Sequence, residues 1–114
     1  IDDQGARFEN LVGFHLLKEC HHLEDVEGHD TELRFFRDIE GREVDFVQMK
    51  GGKPVRFVEC KTAETVISPA LLYLRRKFPA VDAVQVIASS GVDRIAREGV
   101  RLVSADRFLA ELVV

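Results

Sequence analysis

Apolar and polar residues change their spacing several times along the chain, and each change predicts an element. Between about Asp3 and Cys20 the apolar residues recur every three or four positions, which is typical of a helix with one apolar face. The stretch from His21 to Thr31 is polar and contains Gly28, so it predicts a loop. The apolar face of the helix comprises Phe8, Leu11, Val12, Phe14, Leu16 and Leu17.

Three runs with strand character follow, at Glu32–Asp38, Glu43–Met49 and Val55–Lys61. They are separated by two short segments that contain glycine, and such segments favour tight turns. We therefore predict an antiparallel meander of three strands.

The second half of the chain alternates between helix and strand signals. Ser68 and Pro69 begin a second helix as its N-cap and first residue, and Asp82–Ala88 is a strand that the crossover places parallel to Val55–Lys61. The full order predicts an α/β fold with a mixed sheet and helices on both faces. The remaining predicted elements are a short helix near Val92–Arg97, a strand at Val100–Val103 and a last helix from Ala105 to about Leu112.

Composition narrows the class of protein. The chain has 114 residues, 46% hydrophobic content and a net charge of −4, which indicates one globular domain over residues 1–114 and excludes a disordered chain. No apolar run is long enough to span a bilayer, and two cysteines are too few for a disulfide framework. We predict a cytoplasmic protein. Because the chain begins with Ile1 instead of Met, we interpret it as a fragment of a longer protein.

The charged residues of the strand Val55–Lys61 are the first candidates for chemistry. Glu59 and Lys61 lie two positions apart, so they project from the same side of the strand. Register decides whether Asp45 joins them. A two-residue turn that pairs Lys50 with Lys53 sets Asp45 opposite Val58, whereas a five-residue loop sets Asp45 opposite Glu59. Pro54 favours the second register, because proline cannot donate to a ladder.

In the second register two carboxylates stand about 5 Å apart on one face. They repel each other unless a cation lies between them, and hard oxygen ligands suit Mg²⁺ or Mn²⁺. Glu9 lies on the rim of the first helix, in line with Gly13, and is placed to reach the same edge of the sheet. Gly13 would allow that helix to approach closely.

The complete pattern resembles the PD-(D/E)XK nuclease superfamily, which has the restriction-endonuclease-like fold. The resemblance rests on Glu9 in the first helix, Asp45 in the second strand and Glu59-Cys60-Lys61 in the third. Across nearly the whole chain, the segments Gly5–Val12, Phe36–Asp38, Glu43–Val47 and Val103–Leu112 resemble the nuclease-like C-terminal domain of bacterial and archaeal AAA-type ATPases. Val44 stands where the superfamily name has proline, which is often absent.

The resemblance implies an αβββαβ core with a C-terminal α-β-α extension and a Mg²⁺-dependent phosphodiesterase that hydrolyses nucleic acid, DNA before RNA. Asp45, Glu59 and Glu9 would bind Mg²⁺ or Mn²⁺, weakly without substrate, and Lys61 would serve the attacking water. All four would form the catalytic site. The chain would be the C-terminal part of a longer ATPase. Its partners would be nucleic acid and the upstream ATPase domain, with a homodimer as a further candidate and no membrane.

A second hypothesis comes from another class of protein. The net negative charge and the weak basic surface favour a catalytically silent interaction or dimerisation module that regulates the ATPase. Two other groups of residues are weaker candidates, one for contacts to phosphate and one for a zinc site. The basic strip, which we interpret as structural because cations offset a helix dipole, comprises Arg75, Arg76, Lys77, Arg94, Arg97 and Arg101. A group without recognised zinc spacing comprises His15, Cys20, His21, His22 and His29.

Overall fold

A computed structural model describes residues 3–112, so the first and last two residues of the predicted domain 1–114 lie outside it. Its helices are α1 (Asp3–Glu27), α2 (Pro69–Lys77) and α3 (Ala105–Glu111). A 3₁₀ turn spans Arg97–Gly99. The strands are β1 (Thr31–Arg37), β2 (Glu43–Lys50), β3 (Lys53–Lys61), β4 (Asp82–Ile87), β5 (Asp93–Ile95) and β6 (Arg101–Ser104).

The strands form one mixed sheet in the order β1-β2-β3-β4-β6-β5. Neighbours are antiparallel from β1 to β3, parallel from β3 through β4 to β6, and antiparallel between β6 and β5. This arrangement confirms the predicted mixed α/β fold, the meander and the parallel β3-α2-β4 crossover. Within residues 3–112, no helix has the length and apolar content needed to cross a membrane.

The sheet separates two apolar cores. On one face, the α2-side core packs Leu71 and Leu74 of α2 against Val44, Val47 and Phe57 of the sheet. On the other face, the α1-side core contains residues of three kinds of element: Val12 and Leu16 of α1, Phe108 of α3, and Val58, Val84, Val86 and Val103 of the central strands. Because both faces are covered, the central strand β4 is almost entirely buried and apolar, as expected for parallel strands.

Helix α1 is longer than the sequence predicted. It continues through His21 and His22 to Glu27, and Gly28 then ends it with a φ of +72°. The loop prediction for this stretch was wrong because polarity there marks exposure, not the end of a helix. No helix breaker occurs before Gly28, and the last buried residue of α1 is Cys20.

The helix predicted near Val92–Arg97 was also wrong. Asp93–Ile95 forms strand β5 along β6, and the chain then turns through the 3₁₀ segment Arg97–Gly99. The tertiary partner decides this outcome, because β6 would otherwise leave one edge unpaired. The Oγ atom of Ser104 in β6 accepts a hydrogen bond from the backbone N–H of Val92 at 2.8 Å, which fixes the start of β5.

The close approach of α1 to the sheet depends on Gly13. A Cβ atom at this position would lie 2.7 Å from the Cζ atom of Phe46, closer than packed carbon atoms approach. Phe46 packs into the α1-side core and follows Asp45 directly in the chain. The glycine predicted from sequence to permit close approach therefore does so, and it sets the distance between α1 and β2.

We expect Gly13→Ala to destabilise the protein by about 1–2 kcal/mol, because overpacking against Phe46 outweighs the gain of about 1 kcal/mol in helix propensity. Urea denaturation measures the difference. The double variant Gly13→Ala/Phe46→Leu should lose less than the sum of its single changes, because the shorter side chain makes room for the methyl group. Additive losses would contradict a direct Gly13–Phe46 contact.

Candidate functional site

The β2–β3 hairpin combines features of both registers that the sequence left open. Lys50 pairs with Lys53 across the two-residue turn Gly51-Gly52, as in the first register. The pairing shifts by one residue at Val55, so that Gln48 pairs with Arg56 and Phe46 with Val58. This β-bulge restores the second register, in which Asp45 faces Glu59. The predicted antiparallel pairing is confirmed. A bulge at Val55, and not a five-residue loop, brings Asp45 opposite Glu59.

A second bulge lies in β2 at Asp45 itself. Arg34 pairs with Val47 and Phe36 with Val44, so that Asp45 and Phe46 together oppose one residue of β1. The bulge interrupts the alternation of faces: Val44 and Val47 both pack into the α2-side core, whereas Phe46 packs into the α1-side core. Bulges change the direction of a side chain, and this one lets Asp45 contact both α1 and β3.

Beyond the pair Phe46–Val58, side chains replace the backbone ladder between β2 and β3. The backbone N–H of Asp45 donates to Oε1 of Glu59 at 3.1 Å, and the backbone N–H of Cys60 donates to Oδ2 of Asp45 at 2.8 Å. Each carboxylate thus accepts a hydrogen bond from the opposite strand. Buried carboxylates need such partners, and Glu59 is only 6% exposed.

Asp45 lies at the centre of an acidic cluster that consists of Glu9, Asp45 and Glu59. The Glu9 and Asp45 side chains share a hydrogen bond, which together with partial burial and the Asp45 charge raises the pKa of Glu9 to about 7. Burial is the largest cause that raises the pKa of Glu59, followed by its hydrogen bond to Asp45, and the value reaches about 8. Both carboxyls therefore hold protons near neutral pH.

Lys61 is the cation of this group. Its positive charge lowers the pKa of Glu59 and so opposes part of the rise. It lines the same cleft, and no salt bridge within residues 3–112 involves it. Glu43, another carboxylate of the cleft, pairs with Arg37 of β1 at 2.7 Å. The Lys61 ammonium thus stays available to a bound anion.

Cys60 has no reactive character. Burial and the three carboxylates of the acidic cluster raise the pKa of its thiol well above the ordinary range. The thiol therefore stays neutral, and its side chain packs at the edge of the α1-side core, as a small hydrophobic residue does.

These side chains line a cleft of about 760 Å³ at the end of the sheet. Its walls come from the start of α1, the β1–β2 turn, the facing parts of β2 and β3, the β3–α2 loop and the start of α2. Six acidic and two basic side chains line it, a formal net charge of −4 when all are ionised: Glu9, Glu40, Glu43, Asp45, Glu59 and Glu64 against Arg42 and Lys61. The cleft therefore favours cations over anions.

Arg42 is a cleft residue that sequence reasoning missed. Its Nη1 atom forms ion pairs with Asp38 at 2.8 Å and Glu40 at 2.6 Å, and its guanidinium lies 4.0 Å from the centroid of the Tyr73 ring. These contacts hold the β1–β2 turn against α2. The available signal was Asp38-x-x-x-Arg42 around a turn glycine, which predicts a local ion pair but not its place in the cleft.

Gln85 holds two walls of the cleft, the β3–α2 loop and the start of α2, by hydrogen bonds to their backbone. It is fully buried in β4 beside Glu59, where its Oε1 accepts from the backbone N–H of Ser68. Its Nε2 donates to the backbone oxygens of Glu64 and Val66. One side chain thus fixes the β3–α2 loop and the start of α2. The available signal was a glutamine inside an apolar run of a central strand.

The other sequence candidates do not join the cleft. The basic strip is largely engaged in structural contacts, as we interpreted it: Arg76 and Arg97 pair with Glu98, Arg101 with Asp93 and Glu111, and Arg75 donates to backbone oxygens. In the described part of the chain, no three His, Cys, Asp or Glu side chains are arranged to hold one metal ion. This applies to the His and Cys residues of α1 and to the acidic cluster as a set of three.

The raised pKa of Glu59 predicts how stability depends on pH. The folded state binds this proton more tightly than the unfolded state, whose value is near 4.5, so the free energy of unfolding falls as pH rises from about 4.5 to about 8. Glu59→Gln keeps an acceptor for the Asp45 N–H and removes the charge. We expect it to stabilise the protein at pH 8.5 by about 1–3 kcal/mol and to flatten this decline.

Urea denaturation at several pH values measures the effect. Glu64→Gln is the matched control, because Glu64 lines the same cleft but is exposed. If wild type and Glu59→Gln lose stability equally with rising pH, the Glu59 carboxyl is not the group that takes up the proton.

Comparison with known proteins adds membership of a family. A family model described as a domain of unknown function (DUF4143) matches residues 4–108. No curated protein and no solved structure matches the chain. The matched range includes the four predicted site residues, Glu9, Asp45, Glu59 and Lys61, together with every helix and strand except the end of α3 and the first residue of α1. The chain therefore belongs to the DUF4143 family.

Proposed function

We propose that the cleft is a metal-dependent phosphodiesterase site of the PD-(D/E)XK type, which acts on DNA in preference to RNA. One observation carries the proposal: Asp45 and Glu59 meet across a bulged strand pair, with Lys61 beside them on β3. A buried carboxyl with raised proton affinity, Glu59, next to a second carboxylate and to a cation that has no salt bridge within residues 3–112, is typical of a site that binds a ligand. The resemblance identified from sequence involves the same residues.

The donor atoms fit a Mg²⁺ or Mn²⁺ ion. Mg²⁺ prefers carboxylate oxygens, keeps several water ligands and commonly takes only one or two carboxylates from the protein. Asp45 and Glu59 would hold it, and Glu9 would act through its hydrogen bond to Asp45. When bound, the metal would polarise a phosphate oxygen and lower the pKa of a water.

The residues of the chain have separate parts in this proposal. Lys61 would stabilise the negative charge that develops on the phosphate oxygens and orient the attacking water. In the metal-free protein Glu59, whose pKa is about 8, and Glu9, whose pKa is about 7, carry protons near neutral pH, and metal binding would displace the proton of Glu59. The backbone N–H groups of Asp45 and Cys60 orient the two carboxylates, because each donates to one of them.

A second candidate function has an observation of its own in its favour. The cleft carries a formal charge of −4 when all its side chains are ionised and stays negative when Glu9 and Glu59 are protonated, and the arginines of the basic strip are mostly paired with carboxylates. A nucleic acid would therefore meet little free positive charge. A catalytically silent module that regulates an attached ATPase would use the same fold without binding a polyanion. In either case we place the protein in the cytoplasm, next to an upstream ATPase domain.

Metal binding should release protons. At pH 7 a carboxyl with a pKa of about 8 is mostly protonated, and a metal ion displaces that proton. We expect the affinity for Mn²⁺ to rise as pH increases from about 6 to 9, with net proton release at pH 7. Isothermal titration calorimetry in buffers of different ionisation enthalpy measures both quantities.

Asp45→Asn and Glu59→Gln should abolish Mn²⁺ binding, whereas Glu64→Gln should leave it unchanged. Asp45→Asn keeps an oxygen that accepts from the Cys60 N–H, so the strand pair should remain intact. Binding that survives both substitutions would place the metal elsewhere and remove the basis of the phosphodiesterase proposal.

Catalysis should separate Lys61 from the carboxylates. Lys61→Ala should lower the rate of DNA hydrolysis by roughly 100-fold or more, the usual loss for a positioned electrostatic group, while Mn²⁺ binding persists or tightens because a nearby positive charge is gone. Asp45→Asn should abolish both. The assay follows nicking of plasmid and cleavage of branched and single-stranded DNA with Mg²⁺ or Mn²⁺.

Lys77→Ala is the matched control for Lys61→Ala, because Lys77 lies on α2 outside the cleft lining. Its rate should equal that of wild type. Equal residual hydrolysis in wild type, Asp45→Asn and Lys61→Ala would indicate a contaminating nuclease, and the interaction-module function would then be favoured.

A further inference from the structure

Helix α1 carries an exposed stripe on the side that faces away from the sheet. Its members recur at alternating intervals of four and three residues, so they lie along one line of the helix. All of them are exposed. We call this set the outer stripe: Arg7, Asn10, Phe14, Leu17, His21 and Glu24.

The outer stripe lies opposite the residues that fasten α1 to the sheet. Val12, Leu16, Glu19 and Cys20 are the buried residues of α1. At about 100° per residue, the centre of this buried set and the centre of the outer stripe are separated by about 145° around the helix axis. A second helix can therefore lie along the outer stripe without contacting the sheet.

The middle of the outer stripe is apolar. Phe14 is 59% exposed and Leu17 is 42% exposed, and the adjacent Leu11 is 48% exposed. The Nζ atom of Lys18 lies 5.3 Å from the centroid of the Phe14 ring, and the ring nevertheless stays exposed. Neighbouring exposed apolar side chains on a regular helix are typical of an association surface.

The two ends of the outer stripe carry opposite charges. Arg7 lies near the start of α1 and Glu24 near its end, and no salt bridge within residues 3–112 involves either of them. If two copies of α1 run antiparallel about a two-fold axis between Phe14 and Leu17, each Phe14 faces Leu17 of the second copy. Each Arg7 then faces Glu24 of the second copy, and each Asn10 faces His21.

We propose that two copies of this protein associate through their outer stripes as an antiparallel helix pair. The stripe is self-complementary only in this orientation: a parallel pair would place Arg7 against Arg7 and Glu24 against Glu24, and like charges at such positions are destabilising. An isologous contact of this kind closes a two-fold dimer. The proposal does not depend on the chemistry of the cleft, whose residues Asp45, Glu59 and Lys61 lie outside the stripe.

Charge reversal tests both the dimer and its orientation. Arg7→Glu places two carboxylates against each other at each end of the antiparallel pair, and Glu24→Arg places two guanidinium groups there. Each variant alone should therefore dimerise roughly five- to tenfold more weakly than wild type. An equimolar mixture of the two variants should recover wild-type affinity as a heterodimer, because both ion pairs are restored. Sedimentation equilibrium, with one variant carrying a fluorescent label, measures the three affinities.

The apolar centre is tested by Phe14→Glu, which should weaken dimerisation at least tenfold because two buried rings are lost. Phe35→Glu is the matched control, since Phe35 is 68% exposed on strand β1, away from the stripe, and should leave the affinity unchanged. Circular dichroism confirms that the variants are folded.

Three results would overturn the proposal. The first is a wild-type protein that stays monomeric at all concentrations up to about 1 mM, which would leave the stripe to a different partner protein. The second is a dimer that Phe14→Glu does not weaken. The third is a mixture of Arg7→Glu and Glu24→Arg that associates no better than either variant alone, which would exclude the antiparallel orientation.

Discussion

The separation of β2 from β3 beyond Phe46 and Val58 is the constraint on which the rest of this structure depends. Two backbone N–H groups there lose their partners in the neighbouring strand, and the carboxylates of Asp45 and Glu59 accept from them instead. This exchange keeps the strands together and makes burial of Glu59 tolerable. It also brings the two carboxylates into contact. The oxygens that satisfy the two backbone N–H groups therefore belong to side chains that repel each other when both are ionised.

The residues around Asp45 and Glu59 hold these two carboxylates close together. Gly13 allows α1 to approach Phe46, which brings Glu9 against Asp45. Gln85 holds the β3–α2 loop beside Glu59 through three backbone contacts. Rigid support of buried groups with altered proton affinity costs stability and is characteristic of sites retained for function. The core therefore holds the cleft and its carboxylates in place.

Charge is distributed unevenly over the molecule. Most arginines outside the cleft are paired with carboxylates, among them Arg76 and Arg97 with Glu98 and Arg101 with Asp93 and Glu111. Negative charge accumulates in the cleft, where only Arg42 and Lys61 oppose it, and Arg42 is itself held by two carboxylates. Any anionic ligand of the cleft would thus depend on Lys61 and on a bound cation.

Local patterns in the sequence predicted most of the helices and strands and identified the candidate site residues. Apolar spacing predicted α1, α2 and the meander, Ser68-Pro69 predicted the start of α2, and the pair Glu59 and Lys61 was identifiable because charge inside an apolar strand has a cost. These signals are local: each depends on residues within one helix or one strand. The same signals failed at the end of α1 and at β5, where exposure and a neighbouring strand decide.

The tertiary structure alone decided the register at Asp45 and the members of the cleft. The turn at Gly51-Gly52 taken by itself sets Asp45 opposite Val58, and only the bulge at Val55 corrects it, because the cores on both faces require Phe57 and Val58 in their observed positions. Arg42 and Gln85 join the site through contacts between elements distant in sequence. The local sequence therefore identifies the candidate residues. Packing across the whole sheet decides whether their side chains come together, because they lie on elements that are distant in sequence.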